Sequence, residues 1–165
     1  MAAWLMEHET GMSKGDRLLA GHLFSESEMD RLALAAARIA GGEPIQYVLG
    51  KAWFDGMELV ARAGALIPRP ETEELVADVA AKLVASGWDA PFVVDWCTGS
   101  GCMALALKRR FEKAEVWGVD VSEEALSVAK ENGTRLSLNV RWRQSDLLRA
   151  PLKLPRPAQV VVANP

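Results

Sequence analysis

The feature that most constrains the fold is an apolar run that leads into a glycine-bearing turn and then directly into a helix. It lies between Phe92 and Cys102 and reads Phe-Val-Val-Asp-Trp-Cys-Thr-Gly-Ser-Gly-Cys. The consecutive apolar residues 91–94, which do not alternate with polar ones, are typical of a strand covered on both faces. The stretch therefore predicts a parallel α/β sheet, with a helix over roughly Cys102 to Arg110.

The turn itself predicts a nucleotide-cofactor site. Asp95 stands at the carboxyl end of the strand, where open α/β sheets bind ligands. Gly99 and Gly101 have no Cβ atom and so let a ligand approach the main chain. The following helix directs its unpaired N–H groups at the same point. The alternative is a tight strand-to-helix connection without a ligand, because short glycine motifs also occur there.

A second acidic residue supports the cofactor interpretation. The segment Glu115–Val119 is predicted to be a strand that ends in Asp120. A carboxylate about twenty residues beyond the turn can accept hydrogen bonds from both ribose hydroxyls of an adenosine cofactor. Asp120 could instead simply precede a helix, because Ser122 is a good N-cap.

The remaining elements complete an α/β pattern. Further predicted elements are a hairpin around Asp55-Gly56, helices from Pro70 to Ser86-Gly87 and from Ser122 to Asn132-Gly133, and strands over Val140–Arg143 and Gln159–Ala163. Asp146 follows the third strand of the sheet, where its side chain either reaches an adenine edge or forms a turn. The fourth strand, 159–163, is predicted to be buried.

The N-terminal region is predicted to be small and helical. Residues 1 to about 12 lack periodicity and are expected to be loose, and 16–24 are expected to form a short helix. A clearer helix begins at Ser25 or Ser27 and ends at Gly41-Gly42. We therefore divide the chain into a helical region (1–50), a β-hairpin linker (51–69) and the first half of a sheet domain (70–165).

Composition limits the function further. The net charge of −3 argues against broad nucleic-acid binding. The sequence contains neither an apolar run long enough for a membrane helix nor a signal peptide, so we expect a cytoplasmic protein. Cys97 and Cys102 flank the glycine turn, far from His8 and His22, which predicts neither a structural disulfide nor a metal site.

Four motifs carry a family resemblance: Gly42 to Tyr47, Ile67 to Glu73, Asp95 to Cys102 and the terminal Asn164-Pro165. Together they resemble the protein-(glutamine-N5) methyltransferases of the HemK/PrmC type, which modify peptide-chain release factors. The resemblance covers about residues 28–165. Its most specific part is Ile67 to Glu73, which reads Ile-Pro-Arg-Pro-Glu-Thr-Glu.

The resemblance implies a class I S-adenosylmethionine-dependent methyltransferase sheet of Rossmann-like type, with a helical N-terminal domain that recognises a protein substrate. It implies that the turn binds the methionine end of the cofactor, Asp120 the ribose and Asp146 the adenine. The implied cofactor-binding residues are Arg69, Thr72, Asp95, Thr98, Gly99, Ser100, Gly101, Asp120, Val121, Asp146, Leu147 and Asn164. The implied catalytic residues are Asn164 and Pro165.

The family's catalytic motif is Asn-Pro-Pro-Tyr, of which Asn164 and Pro165 are present. An amide nitrogen is a poor nucleophile, and acceptors on the Asn side chain and the Pro carbonyl align it for in-line attack on a sulfonium methyl group. With the motif cut short, we expect a sheet incomplete at its C-terminal side and a chain that alone is a poor catalyst. We also expect strand 159–163 to be an apolar edge through which the chain self-associates.

Besides the shortened catalytic motif, two departures from the family pattern leave alternatives open. Cys97 stands where many members carry Gly, and the helical region before Gly42 looks shorter than in the family. The alternatives are a ribosomal-protein glutamine methyltransferase, which the stretch Ala52 to Gly56 also resembles, a methyltransferase of exocyclic amines on nucleic acid, and a non-catalytic cofactor-binding fragment. A nicotinamide dehydrogenase is disfavoured, because 98–101 lack the three-glycine spacing.

Overall fold

The computed structural model describes residues 2–146, 149 and 152–165. The chain forms two compact units, Met1–Gly50 and Lys51–Pro165. The first unit is helical and contains α1 (Ala2–Thr10), α2 (Lys14–Leu19), α3 (Glu26–Ala40) and α4 (Ile45–Leu49). No helix among the described residues is long and apolar enough to cross a membrane.

The longest helix of the first unit, α3, has the predicted ends. Ser25 is its N-cap, and Ser25 and Glu28 form a capping box in which each side chain bonds the other residue's main chain. Gly41 is the C-cap, as the Gly41-Gly42 pair predicts. The prediction for α2 is less accurate, because this helix lies at Lys14–Leu19 and is shorter than the predicted 16–24.

The expectation that residues 1–12 are loose is wrong, because α1 occupies most of them. The segment has no apolar stripe, but it is rich in Ala, Leu, Met and Glu, which have high intrinsic helix propensity. Packing and polar contacts hold it in place: Leu5 is buried, and the Glu9 carboxylate accepts a hydrogen bond from Arg31 of α3 at 2.6 Å. Propensity and local packing thus form a helix that periodicity does not reveal.

The second unit is an α/β fold. Its elements are β1 (Lys51–Phe54), β2 (Met57–Val60), α5 (Pro70–Ala85), β3 (Phe92–Trp96), α6 (Cys102–Arg110), β4 (Glu115–Asp120), α7 (Glu123–Arg135), β5 (Arg141–Gln144) and β6 (Val160–Ala163). The strands β1 and β2 form the predicted antiparallel hairpin around Asp55-Gly56. The other four form a parallel sheet in the order β5-β4-β3-β6. The predicted parallel α/β sheet is therefore confirmed.

The sheet is covered on both faces, and β3 contributes to both cores. Val93 packs with hairpin and helix residues such as Phe54, Leu59 and Leu105. Phe92 and Val94 belong to a second cluster with Trp117 and Val119, against which Leu152 and Leu154 pack. This arrangement explains why the apolar run in β3 does not alternate with polar residues.

Two details of the sheet domain correct the sequence predictions. The predicted end of α7 at Asn132-Gly133 is wrong, because the helix continues through both residues to Arg135. Both residues are buried in the protein. The strand β6 is less buried than predicted: Val162 is buried, but Val161 is 52% exposed. Among the described residues β6 pairs with β3 on one side only, which accounts for this exposure.

Candidate functional site

The glycine turn connects β3 to α6 and has an unusual main chain. Cys97, Gly99 and Gly101 all have positive φ, at 57°, 55° and 82°. A Cβ atom on Gly99 would meet nothing nearer than the Cys97 carbonyl oxygen at 4.0 Å, so the space beside this residue is open. A ligand can therefore approach the main chain here. Cys97 has the same left-handed geometry with a side chain, at a cost of about 1–2 kcal/mol relative to Gly.

Asp95 supports the turn from inside the protein. The residue is one position before the end of β3, and its side chain is fully buried. Its Oδ2 atom accepts hydrogen bonds from the Thr98 hydroxyl at 2.6 Å and the Ala104 N–H at 3.1 Å. Its Oδ1 atom has no hydrogen-bond partner among the described residues. Burial, with a smaller contribution from the charge of Asp120, raises the pKa of Asp95 to about 7.

Asp120, the last residue of β4, fixes the turn from the neighbouring strand. One carboxylate oxygen accepts the Gly99 N–H at 2.9 Å, and the other accepts the Ser122 N–H at 3.0 Å. Ser122 in turn caps α7. Asp120 therefore does stand at the start of a helix, as the alternative interpretation held. Each oxygen can still accept another hydrogen bond, so this role does not exclude a ligand.

Asn132 is a residue of the site region that the sequence predictions missed. Its side chain is buried, accepts the Val60 N–H at 2.7 Å and donates to the Ser100 carbonyl at 3.0 Å. It thereby joins the hairpin to the glycine turn. Its Asn-Gly neighbourhood indicated a helix end, and no local pattern distinguishes a buried bridging Asn from a terminating one.

Trp142 of β5 packs beneath the turn. A Cβ atom on Gly101 or Gly118 would overlap its indole ring, and Gly133 lies beside the same ring. The indole therefore occupies space that Gly101 and Gly118 leave free, and it is in ordinary contact distance of Gly133. This contact links β5 to the glycine turn and gives Gly101 a packing role in addition to its conformational one.

A cleft in the second unit joins the glycine turn to the motif at 67–73 and to Asn164. It is lined by Leu66, Ile67, Pro68, Arg69, Thr72, Cys97, Thr98, Gly99, Ser100, Cys102, Met103 and Asn164. Asn164 follows the end of β6, and its Nδ2 atom donates to the Thr72 hydroxyl at 3.0 Å. Motifs that lie far apart in the sequence therefore meet at the carboxyl edge of the sheet.

Other residues implied by the family resemblance lie outside this cleft. Val121 is 61% exposed, directly after β4. Asp146 is half-buried and forms an ion pair with Arg149 at 3.4 Å. Leu147 lies outside the described residues. Pro165 follows Asn164 and is exposed.

The cysteines beside the turn are not activated thiols. Burial raises the pKa of Cys102 to about 12, and burial together with the charges of Asp120 and Asp95 raises the pKa of Cys97. Both side chains are therefore protonated near neutral pH, and thiolates are what covalent catalysis by cysteine requires. The structure therefore does not support either cysteine as a covalent nucleophile.

Comparison with known families matches both units. The PrmC N-terminal domain matches residues 1–50, and a methyltransferase domain matches residues 93–164. The release factor glutamine methyltransferase of Bacillus subtilis (strain 168) is 39% identical over 168 residues, which cover 99% of this chain and 58% of the relative. The chain belongs to the PrmC family of methyltransferases.

Other PrmC-family relatives give the same picture. The release factor glutamine methyltransferase of Gloeobacter violaceus is 40% identical over 166 residues, covering 98% of this chain and 56% of the relative. The ribosomal protein uL3 glutamine methyltransferase of Xylella fastidiosa is 38% identical over 135 residues, covering 81% and 42%. The chain thus spans about half the length of the curated relatives it matches.

Solved structures bear out the class I methyltransferase fold. The 16S rRNA N2 G1207 methyltransferase of T. thermophilus aligns with a TM-score of 0.56 at 22% identity, over 70% of this chain and 32% of that chain. The tRNA (uracil-54, C5)-methyltransferase of Pyrococcus abyssi aligns with a TM-score of 0.54 at 17% identity, over 70% and 28%. At these identities the likeness concerns the fold alone.

Proposed function

We propose that this PrmC-family chain takes part in S-adenosylmethionine-dependent methylation of a glutamine side-chain nitrogen in a peptide-chain release factor. The observation that carries the proposal is the position of Asn164, which shares one cleft with the glycine turn and the 67–73 motif. Relatives that act on release factors support the choice of substrate. A translation factor as substrate fits a reaction in the cytoplasm.

The residues at the turn fit the proposed cofactor. Two carboxylates, Asp95 and Asp120, lie close enough for the charge of Asp120 to raise the pKa of Asp95. Because Asp95 is buried and its pKa is about 7, the negative charge that favours a cationic ligand comes chiefly from Asp120. The open space beside Gly99 admits a ligand to the main chain. We propose that the turn and Asp120 hold S-adenosylmethionine, and that Asp146, Val121 and Leu147 contribute on the adenine side.

Bound S-adenosylmethionine would supply the methyl group from its positively charged sulfur and leave as S-adenosylhomocysteine, and the amide nitrogen would lose one of its N–H protons as the N–C bond forms. The contribution of the protein is to align a weak nucleophile, because an amide nitrogen shares its lone pair with the carbonyl group. We propose that the Asn164 Oδ1 atom and the Pro165 carbonyl oxygen accept hydrogen bonds from the two N–H groups of the substrate amide. These hydrogen bonds direct the amide nitrogen at the methyl group. This alignment requires no strong base.

The test is a methyl-transfer assay with the protein as it occurs naturally. Tritiated S-adenosylmethionine is offered with a release factor, and mass spectrometry locates the added methyl group. We expect one methylated glutamine and a loss of about 100-fold or more in rate for Asn164→Ala, since aligning groups of this type contribute that much. Absence of transfer to any protein glutamine would refute the proposal.

A second candidate substrate is ribosomal protein uL3, because one relative bearing that name covers most of the chain. The same assay with uL3 in place of the release factor distinguishes the two. Faster transfer to uL3 would move the assignment to the ribosomal protein and leave the cofactor and the reaction unchanged. Transfer to RNA alone would favour the nucleic-acid alternative.

A further inference from the structure

We infer that Thr72 is a positioning residue that fixes the Asn164 side-chain amide with its oxygen available to the substrate. The inference rests on the proposed function and specifies how its key residue is held. The Asn164 Nδ2 atom donates to the Thr72 hydroxyl oxygen at 3.0 Å. The Asn164 Oδ1 atom has no hydrogen-bond partner among the described residues.

Thr72 is well placed to hold another side chain rigidly. It lies in the first turn of α5, two residues after Pro70, and is only 5% exposed. Its own N–H donates to the Arg69 carbonyl at 3.0 Å, which closes the turn. The helix behind it is anchored in the core by Val76 and Leu83. The hydroxyl therefore has a fixed position, whereas Asn164 itself lies in an exposed segment after β6.

The chemistry makes the orientation of this amide decisive. An Asn side chain presents an acceptor on one side and two donors on the other. A substrate amide nitrogen carries N–H donors, so only the Asn oxygen can bind it. An Asn turned by 180° about its last torsion would present N–H groups to N–H groups. In the orientation that the structure shows, the Asn nitrogen is bound to Thr72 and the Asn oxygen is left for the substrate.

This role differs from the one that the family resemblance implies, in which Thr72 contacts the cofactor. The two roles predict different kinetics. A cofactor contact affects the affinity for S-adenosylmethionine, whereas a residue that orients Asn164 affects the turnover rate at saturating cofactor. Measuring cofactor affinity and turnover rate separately therefore decides between the two roles of Thr72.

The experiment compares three variants of the protein. Thr72→Val keeps the shape but removes the hydroxyl, Thr72→Ser keeps the hydroxyl, and Thr134→Val removes an exposed hydroxyl that bonds within its own helix. We expect kcat to fall about 10- to 100-fold in Thr72→Val, as for other misaligned groups. We expect Thr72→Ser to restore most of it and Thr134→Val to match the wild type. The Kd for S-adenosylhomocysteine, measured by calorimetry, should stay within about twofold in all three.

A second measurement does not depend on activity. The side-chain amide signal of Asn164, assigned in a 15N-labelled sample by its loss in Asn164→Asp, reports the hydrogen bond directly. Thr72→Val should shift this signal and speed its hydrogen exchange, and Thr72→Ser should resemble the wild type. Thermal unfolding of each variant verifies that the fold is intact.

The outcomes separate this inference from the proposed function. An unchanged amide signal in folded Thr72→Val would overturn the inference, even if methylation of glutamine is observed. Weaker cofactor binding with unchanged kcat would overturn it in favour of a cofactor contact. A wild-type protein without methyltransferase activity would refute the proposed function, while the amide signal would still decide whether Thr72 orients Asn164.

Discussion

At the scale of single residues, the burial of the Asp95 carboxylate lowers the stability of the folded protein when this group is charged. Its pKa of about 7 lies well above the ordinary value of 3.8, because burial penalises the charged form. The folded chain therefore holds a proton between these pH values that the unfolded chain has lost. It follows that the contribution of Asp95 to stability is fully present below about pH 4 and is lost as the pH rises through about 7.

The first prediction concerns Asp95→Asn, which has nearly the same shape and does not titrate. The wild-type free energy of unfolding should include a loss on the order of 4 kcal/mol between about pH 4 and pH 7, since one pKa unit corresponds to about 1.4 kcal/mol. Asp95→Asn should lack this loss. Urea denaturation at a series of pH values measures it. Parallel curves for the two proteins would show that Asp95 does not have a raised pKa.

The position of Asp95 was predicted from the sequence, and the direction of its side chain was not, although strand alternation contains a signal for it. The alternation of a strand places Asp95 on the same face as Val93, which packs beneath the helices, so the period of two did contain a signal that the side chain points inward. The partner atoms could not be predicted in the same way. The Ala104 N–H belongs to α6, and its distance to Asp95 depends on how that helix packs on the strand.

At the scale of secondary-structure elements, strand and helix types were largely predictable because strong local signals mark them. Asp55-Gly56 has the positive φ angles of a tight hairpin turn, and Pro70 opens α5. Contacts between distant elements were not predictable. Asn132 bonds to Val60, 72 positions away, and no periodicity encodes that pairing. The role of Asn132 therefore appears only in three dimensions.

The second prediction tests the packing of Trp142 against its glycines. Gly118→Ala places a methyl carbon 2.3 Å from an atom of the Trp142 indole ring, which is too close for a normal contact. Such overpacking costs about 1–3 kcal/mol of unfolding free energy. Gly118 has no positive φ, so main-chain strain is not a competing cause. Chemical denaturation of Gly118→Ala measures the cost.

The control for this prediction is a double-mutant cycle. Trp142→Leu alone should also destabilise the fold, because it leaves a cavity. The double variant should lose less stability than the two single losses added together, since the smaller Leu side chain leaves room for the new methyl group. Strictly additive losses would mean that Gly118 and Trp142 do not constrain each other.

At the scale of the whole molecule, the sequence predicted the α/β sheet and the convergence of its motifs at one edge. The reason is topological: parallel strands end on the same side, so residues that follow β3, β4 and β6 must lie close together. Asp120 was found in this way, whereas Asn164 was implied by the family resemblance. The hydrogen bond between Asn164 and Thr72 was beyond prediction, because it depends on the rotation of α5 against the sheet.

The last prediction links cofactor binding to stability. If S-adenosylmethionine binds the folded protein at the glycine turn, it must raise the unfolding free energy, by about 2.7 kcal/mol when present at 100 times its Kd. NADH should give no such increase. Asp120→Ala should weaken cofactor binding by about 1–3 kcal/mol, because it strands hydrogen-bonding groups of the site.

Asp120→Ala will also destabilise the protein without ligand, because its carboxylate holds the N–H groups of Gly99 and Ser122. The quantity to compare is therefore the increase in melting temperature on adding cofactor, and not the melting temperature itself. Asp89→Ala is the matched control, since Asp89 is an exposed acid that forms an ion pair with Lys113, far from the turn along the chain. Asp89→Ala should keep the full increase. An equal increase in Asp120→Ala would remove Asp120 from the cofactor site and restrict its role to holding the glycine turn against α7.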